Sequence, residues 1–168
     1  VGILHEAGVL HRDVKPANLL LGSDKRVRLG DFGLSRDLDA SLSAAGSPAF
    51  SPPEVIAGKV APEFRARVDV YGLGATLAYL LTGETSLPGR PDAFALERRG
   101  IPRPLVDLIL AVMAYDPQER PADGGALVVL LQELRETLRT YSVDPEEACG
   151  EQRRDMLKTK HAAPTTEV

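Results

Sequence analysis

The apolar pattern of this chain predicts a mainly α-helical fold with one small β-hairpin. Three observations carry that reading. Residues 68–81 (VDVYGLGATLAYLL) are apolar on nearly all sides, the mark of a helix buried through the middle of a domain. Residues 101–114 and 122–139 each show a one-sided apolar stripe at helical spacing. Two short apolar runs, 19–21 and 27–29, flank Gly22-Ser23-Asp24-Lys25-Arg26, and that arrangement reads as a hairpin.

The elements follow in order. Residues 1–8 place Val1, Leu4 and Ala7 at the spacing of the last turns of a buried helix, with Gly8 as its stop. The polar stretch 11–18 (HRDVKPAN) is a loop, because Pro16 lacks a donor and restricts Lys15. After the hairpin, residues 35–53 are rich in Ser, Ala, Gly and Pro without periodicity, and a loop of that length in a compact domain is usually functional. A short helix is expected over 53–57, where prolines are tolerated at the start. Gly83 should stop the 68–81 helix, and Tyr71, Leu77, Leu80 and Leu81 read as core. A weak helix is expected over 92–98, and the turn 116–121 joins the two amphipathic helices. Residues 1–141 are read as the structured unit; residues 142–168 form a polar tail, expected to be disordered.

Composition removes several function classes. The 168 residues are 43% hydrophobic and 26% charged, a globular balance. Lys+Arg 20 against Asp+Glu 24 leaves −4, so no broad basic field exists to recruit nucleic acid or anionic lipid. The lone Cys149 cannot make an internal disulfide and has no thiol partners for a multi-cysteine zinc site, so a cytoplasmic, reducing setting is the default. No apolar run approaches the roughly 18 residues of a membrane span. His5 reads as a packed or surface histidine, and His161 lies in the tail without metal-ligating companions.

The chemistry concentrates in His11-Arg12-Asp13-Val14-Lys15-Pro16-Ala17-Asn18 and in Asp31-Phe32-Gly33. A carboxylate and a lysine two residues apart on a loop can face one substrate, and an amide five residues after the carboxylate can turn back to the same point. The hairpin strands are close in length, so the carboxylate at its far end returns there too. Two carboxylates, an amide and an ammonium on one spot suit phosphoryl transfer, which needs a base, oxygen ligands for Mg²⁺ and positive charge near the moving phosphate.

These residues resemble the C-terminal lobe of a eukaryotic-type (Hanks-type) serine/threonine protein kinase. HRDVKPANLL resembles that family's catalytic loop and Asp31-Phe32-Gly33 its metal-binding motif, while Lys15 points to the serine/threonine branch. Residues 46–54 (GSPAFSPPE) resemble the end of the activation loop, 69–74 the buried-helix motif, and 116–121 the late turn whose arginine pairs with Glu54. The resemblance covers residues 1 to about 140. The composition is also similar to bacterial kinases of this type.

The resemblance implies a role for each matching residue. Asp13 orients the substrate hydroxyl or accepts its proton, Lys15 neutralises the transferring phosphate, and Asn18 and Asp31 hold Mg²⁺ bound to ATP. Leu20 falls where the family places an apolar side chain under the adenine. His11 and Phe32 are expected to stack in the core, and Ser47 to bond Asp13 and Lys15. Glu54 with Arg120, and Asp69 with the backbone near His11–Arg12, are expected to be structural. Ser43 is where the resemblance puts an activating phosphate, with Arg12 and Arg36 as its cations and Ser41 as a weaker candidate. Phe50, Pro52 and Gly72 depart from the usual Tyr, Ala and small polar residue. No G-x-G-x-x-G precedes the catalytic loop, so the resemblance implies a missing β-rich N-terminal lobe, expected upstream.

Two functions are therefore expected. One is transfer of the ATP γ-phosphoryl to protein Ser/Thr hydroxyls, here by an incomplete catalytic domain that is inactive alone. The other is a non-catalytic kinase-like remnant acting as a binding or regulatory module. The full-length protein is expected in the cytoplasm, with tethering to a membrane by another segment as an option.

Overall fold

The computed structural model describes residues 1–34, 36–37 and 47–140, with 34, 36 and 37 described by their backbone. Helix α1 (Gly2–Glu6) leads into β1 (Val9–Leu10), and the loop that follows ends in a 3₁₀ turn at Pro16–Asn18. Strands β2 (Leu19–Leu21) and β3 (Val27–Leu29) form the expected hairpin, Leu19 opposite Leu29 and Leu21 opposite Val27. Lys25 takes a left-handed φ of 59° at the turn, and Asp24 receives a bidentate contact from Arg28 at 2.9 and 2.7 Å. Strand β4 (Arg36–Asp37) pairs antiparallel with β1, a pairing that two-residue strands do not announce in sequence.

The remainder is helical: α2 (Pro53–Ile56), α3 (Arg65–Thr82), α4 (Ala93–Arg98), α5 (Arg103–Val112) and α6 (Gly124–Thr140). Each start has a local cause. Prolines open α2, Asp92 caps α4 by accepting from Ala95 N at 2.9 Å, and Asp123 caps α6 by accepting from Ala126 N at 2.8 Å. Gly83 ends α3 in the left-handed region (φ 79°), its N–H donating to Tyr79 O at 2.7 Å.

Helix α3 is the axis of the fold. Tyr71, Ala75 and Ala78 pack with Leu96 of α4 and with Val106 and Ile109 of α5; Val70 packs with Val112 and Leu127. At Gly72 an added Cβ would stand 3.0 Å from Val14 Cβ and 3.1 Å from Val14 O, so the backbone of the 11–18 loop lies directly on α3. The missing side chain there makes room for the loop.

Three expectations need correction. Helix α3 is not buried all round: Leu80 is 59% exposed, and Leu77 is only partly covered. Leu73, Leu77 and Leu80 instead line an open apolar groove with Leu108, Leu127 and Leu131. Uniform apolarity cannot distinguish a core face from a groove wall. The fully buried residue of α1 is not an apolar one but His5. Phe32, expected to stack with His11 in the core, is 52% exposed and meets the His11 ring edge-to-face at 5.2 Å.

One buried ion pair ties the two halves of the helical region. Arg120 reaches both oxygens of Glu54, at 2.6 and 3.0 Å, and also donates to Ala114 O and Tyr115 O. Its guanidinium lies 4.9 Å from the Tyr71 ring centroid. The Arg120 side chain is fully covered, so removing its partner leaves an uncompensated interior charge. Glu54→Ala should lower the free energy of unfolding by about 3–5 kcal/mol in urea denaturation. Arg139→Ala, at the exposed pair with Glu136, should leave the unfolding curve unchanged.

Candidate active site

The site is built on a loop held in a conformation it would not choose. Arg12 has φ 72°, a left-handed value unfavourable for a long side chain. Its surroundings enforce it: Asp69, buried on α3, accepts from His11 N and Arg12 N, both at 2.7 Å. A third donor is the His5 ring, whose Nε2 lies 3.1 Å from Asp69 Oδ2. His5 Nδ1 accepts from Gly124 N at 3.0 Å, which places the ring proton on Nε2. Sequence reasoning missed the His5 part of this network. Its only local trace is a histidine in a five-residue helix, and its partners lie 64 and 119 positions away.

Beyond Arg12 the reactive groups converge. Lys15 is extended (φ −156°, ψ 164°), so Asp13 and Lys15, two positions apart, can point the same way. Lys15 Nζ lies 2.6 Å from Asp13 Oδ2 and donates to Ser47 Oγ at 2.9 Å. The 3₁₀ turn begun by Pro16 folds Asn18 back, and its Nδ2 donates to Asp13 O at 2.7 Å and to Asp13 Oδ2 at 3.2 Å. Ser47 N closes the ring by donating to Asp13 Oδ1 at 3.2 Å. Partial burial works against the charged form of Asp13. The Lys15 and Asn18 hydrogen bonds, the lysine charge and the Ser47 N–H outweigh it, so Asp13 is held below its ordinary pKa.

The hairpin delivers the second carboxylate. Gly30 N donates to Asn18 O at 2.8 Å, which extends the β2–β3 ladder by one step beyond Leu19 and Leu29. His11 Nε2 donates to Gly30 O at 2.9 Å, and its ring meets Phe32 edge-on at 5.2 Å. Asp31, next in the chain, has φ 58°, an exposed carboxylate, and an Oδ1 that accepts from Gly33 N at 3.2 Å. Leu20 is exposed and lies over Gly30, where an added Cβ would stand 2.9 Å from Leu20 Cδ1. Phe50 packs edge-on against Tyr79 at 5.8 Å and Pro52 is fully buried, so both unusual residues are built into the packing below Ser47.

These groups fit a magnesium–nucleotide complex. Asn18 has its amide nitrogen committed to Asp13, which leaves Oδ1 as its ligating atom, and Asp31 offers an exposed carboxylate. Both are hard oxygen donors, and Mg²⁺ is typically held by one or two carboxylates together with substrate phosphates and water. Among the described residues no three His, Cys, Asp or Glu side chains cluster into a metal cage, so the remaining ligands would come from phosphate and water. Ser41, Ser43, Cys149 and His161 lie outside the described residues, and Arg36 is described only by its backbone in β4.

A carboxylate flanked by a lysine, an amide and a backbone donor, with a second carboxylate at the end of the adjoining hairpin, is a donor set suited to phosphoryl transfer. The chain belongs to the protein kinase family: residues 1–130 match the model of the protein kinase domain. It is similar to the serine/threonine-protein kinase PknJ of Mycobacterium tuberculosis, with 39% identity over 145 residues, covering 72% of this chain and 24% of that protein. Similarity also extends to PknK of the same organism (36% over 164 residues; 85% of this chain, 14% of that protein). For PknL it is 33% over 153 residues, covering 80% of this chain and 37% of that protein. The chain thus spans well under half the length of these curated relatives. Kinases of this family use ATP and Mg²⁺.

The Asp13 environment makes a prediction. Its depressed folded-state pKa means that the ionised form stabilises the fold above the unfolded pKa, and that this contribution is lost as pH falls through the folded value. Lys15→Met should move the Asp13 titration, followed by its side-chain carboxyl ¹³C shift, upward toward the ordinary range. It should also reduce the stability lost on acidification.

Proposed function

We propose that residues 1–141 are the catalytic-loop lobe of a serine/threonine protein kinase, which in the whole protein transfers the γ-phosphoryl of ATP to protein Ser or Thr hydroxyls. The observation that carries this reading is the meeting, within 3.2 Å contacts, of Asp13, Lys15 and Asn18 of one loop with Ser47 of a second segment. Asp13 orients the acceptor hydroxyl. As the new P–O bond forms and the bond to the leaving ADP breaks, Asp13 takes the proton. A carboxylate held below its ordinary pKa is a weak base, so it accepts that proton late, once bond formation has acidified the hydroxyl. Lys15 carries positive charge to the transferring group, and Ser47 keeps lysine and carboxylate in register.

Asn18 and Asp31 would hold Mg²⁺, which when bound neutralises charge on the nucleotide phosphates. Leu20, exposed beside Gly30, offers an apolar surface to the base. The groups that cover ATP from the other side are assigned to a β-rich lobe upstream in the full-length protein. Ser43 is proposed as acceptor of an activating phosphate facing Arg12 and Arg36. No helix of the described residues is long and apolar enough to cross a membrane.

In the full-length protein, Asp13→Asn should lower phosphate transfer to a protein substrate by about 10²- to 10⁴-fold while leaving the far-ultraviolet circular dichroism unchanged. A full-length wild type that binds partners but transfers no phosphate from ATP·Mg²⁺ would establish the non-catalytic remnant instead. Phosphatase treatment or Ser43→Ala should reduce the wild-type rate, and an unchanged rate removes the Ser43 assignment.

A further inference from the structure

We propose that the outward face of residues 87–98 docks an acidic segment of a protein acceptor, one that carries a bulky apolar side chain. The stretch is clamped to the fold at two points. Gly89 N donates to the Tyr71 hydroxyl at 2.9 Å, and Ala95 and Leu96 of α4 are buried in the core. Turned outward between and beyond these clamps are Leu87, Arg90, Phe94 and Arg98. Leu87 is 70% and Phe94 67% exposed, so two large apolar side chains stand in water on a fixed frame. Phe94 and Arg98, one helical turn apart, share a face of α4, and the Arg98 guanidinium lies 5.3 Å from the Phe94 ring centroid. Leu87 is paired across a tight turn with Arg90. Each arginine therefore has an exposed apolar neighbour.

The charges of this stretch divide into those already engaged and those that are not. Glu97 is taken by Arg103 at 2.8 Å, and Asp92 caps α4 by accepting from Ala95 N. Arg99 donates to Thr82 O at 2.6 Å, at the end of α3. Among the described residues Arg90 and Arg98 have no carboxylate partner. A guanidinium stacked on a ring keeps its N–H edge available and has already given up much of its rotamer freedom. Arg98 is thus preorganised for a carboxylate, with the open part of the Phe94 ring beside it for an apolar side chain. The whole chain carries −4, so this face is a local exception to its charge and not part of a general basic field. Complementarity then fixes the partner's chemistry: carboxylates for Arg98 and Arg90, and an aromatic or aliphatic anchor for Phe94.

Docking on α4 has a consequence for the reaction. Leu96 packs on Tyr71, Ala75 and Ala78 of α3, the helix that carries the 11–18 loop at Asp69 and Gly72. A partner seated on α4 is therefore held near Asp13 through packed helices, which raises the effective concentration of its hydroxyl at the site. Binding energy of this kind lowers KM for the protein acceptor and leaves kcat alone. That consequence rests on the kinase reading; the docking itself does not.

Fluorescence anisotropy on the full-length protein tests the docking with a labelled peptide, Gly-Glu-Glu-Phe-Leu-Glu-Asp-Gly. It should bind, weaken as salt rises, and lose about tenfold in affinity in Arg98→Glu and in Phe94→Ala. Arg139→Glu, the same charge change on exposed α6, should leave the affinity as it is. A peptide with Ala-Ala in place of Phe-Leu should bind about tenfold more weakly, a comparison that needs no protein variant. Absence of binding, equal binding of the Ala peptide, or a loss in Arg139→Glu equal to that in Arg98→Glu overturns the proposal. For activity, a Ser acceptor peptide joined to the acidic segment should show a KM about tenfold below that of the acceptor alone, with the same kcat. Arg98→Glu should erase that difference, and equal KM values in the wild type overturn the proposal. If the wild type phosphorylates neither peptide, the kinase reading fails separately, and the anisotropy still decides the docking.

Discussion

A buried carboxylate governs this molecule. Asp69 sits on the central helix, shielded from water, where an ionised group is tolerated only when fully supplied with donors. Those donors are the backbone N–H groups of His11 and Arg12 and the ring of His5. Satisfying Asp69 and bending the catalytic loop are therefore the same event. The loop takes a left-handed step at Arg12 while two consecutive N–H groups, of His11 and Arg12, point to one carboxylate, and Asp13 follows that step directly.

The segment that reaches Asp13 from the other side is anchored by a second buried charge. Ser47 stands at the start of a 3₁₀ turn, Pro48–Phe50, which runs through buried Pro52 into α2 and Glu54. Arg120 grips Glu54, and Tyr71 completes the arrangement by accepting from Gly89 N at 2.9 Å. Burial pushes the Tyr71 hydroxyl upward in pKa, with Glu54 adding to the effect and the Gly89 N–H and Arg120 opposing it, so it remains neutral and fixed. Buried ion pairs are weak sources of stability when compared with apolar replacements. Here the pair has a geometric consequence: it limits where Ser47 can sit, and so where Lys15 and Asp13 meet.

What could be read in the sequence was local. The hairpin registers as expected because Gly22-Ser23-Asp24-Lys25-Arg26 is turn chemistry between two apolar runs, and the Pro- and Gly-marked helix ends fall within a few residues of expectation. The convergence of Asp13, Lys15 and Asn18 was legible through motif spacing, since extended Lys15 and the Pro16 turn are both consequences of nearby residues, whereas Ser47 was placed there only by the family resemblance. Tertiary placement was legible only where the family resemblance supplied it, as for Glu54 with Arg120 and Asp69 with the loop backbone. Nothing near His5 announces Asp69 or Gly124, and nothing in the Leu77–Leu80 pattern separates a core face from a groove. Phe32 also looks like any core aromatic, yet it is half-exposed and meets His11 edge-to-face.

On the proposed kinase reading, the same geometry lets a lysine stand beside Asp13, the proposed base, without disabling the site. A salt bridge of 2.6 Å makes Asp13 harder to protonate, which would be a handicap if the reaction began with proton abstraction. In a loose phosphoryl-transfer transition state the acceptor oxygen is little altered until bond formation is advanced, so early basicity gains little. What the reaction needs first is a carboxylate that is always ionised, accepts a hydrogen bond from the hydroxyl and does not wander. In the proposed reaction Lys15, Asn18 and Ser47 supply those conditions together. The depressed pKa of Asp13 is then a consequence of its being held in place by donors, and that positioning is the larger contribution to catalysis in a reaction of this class.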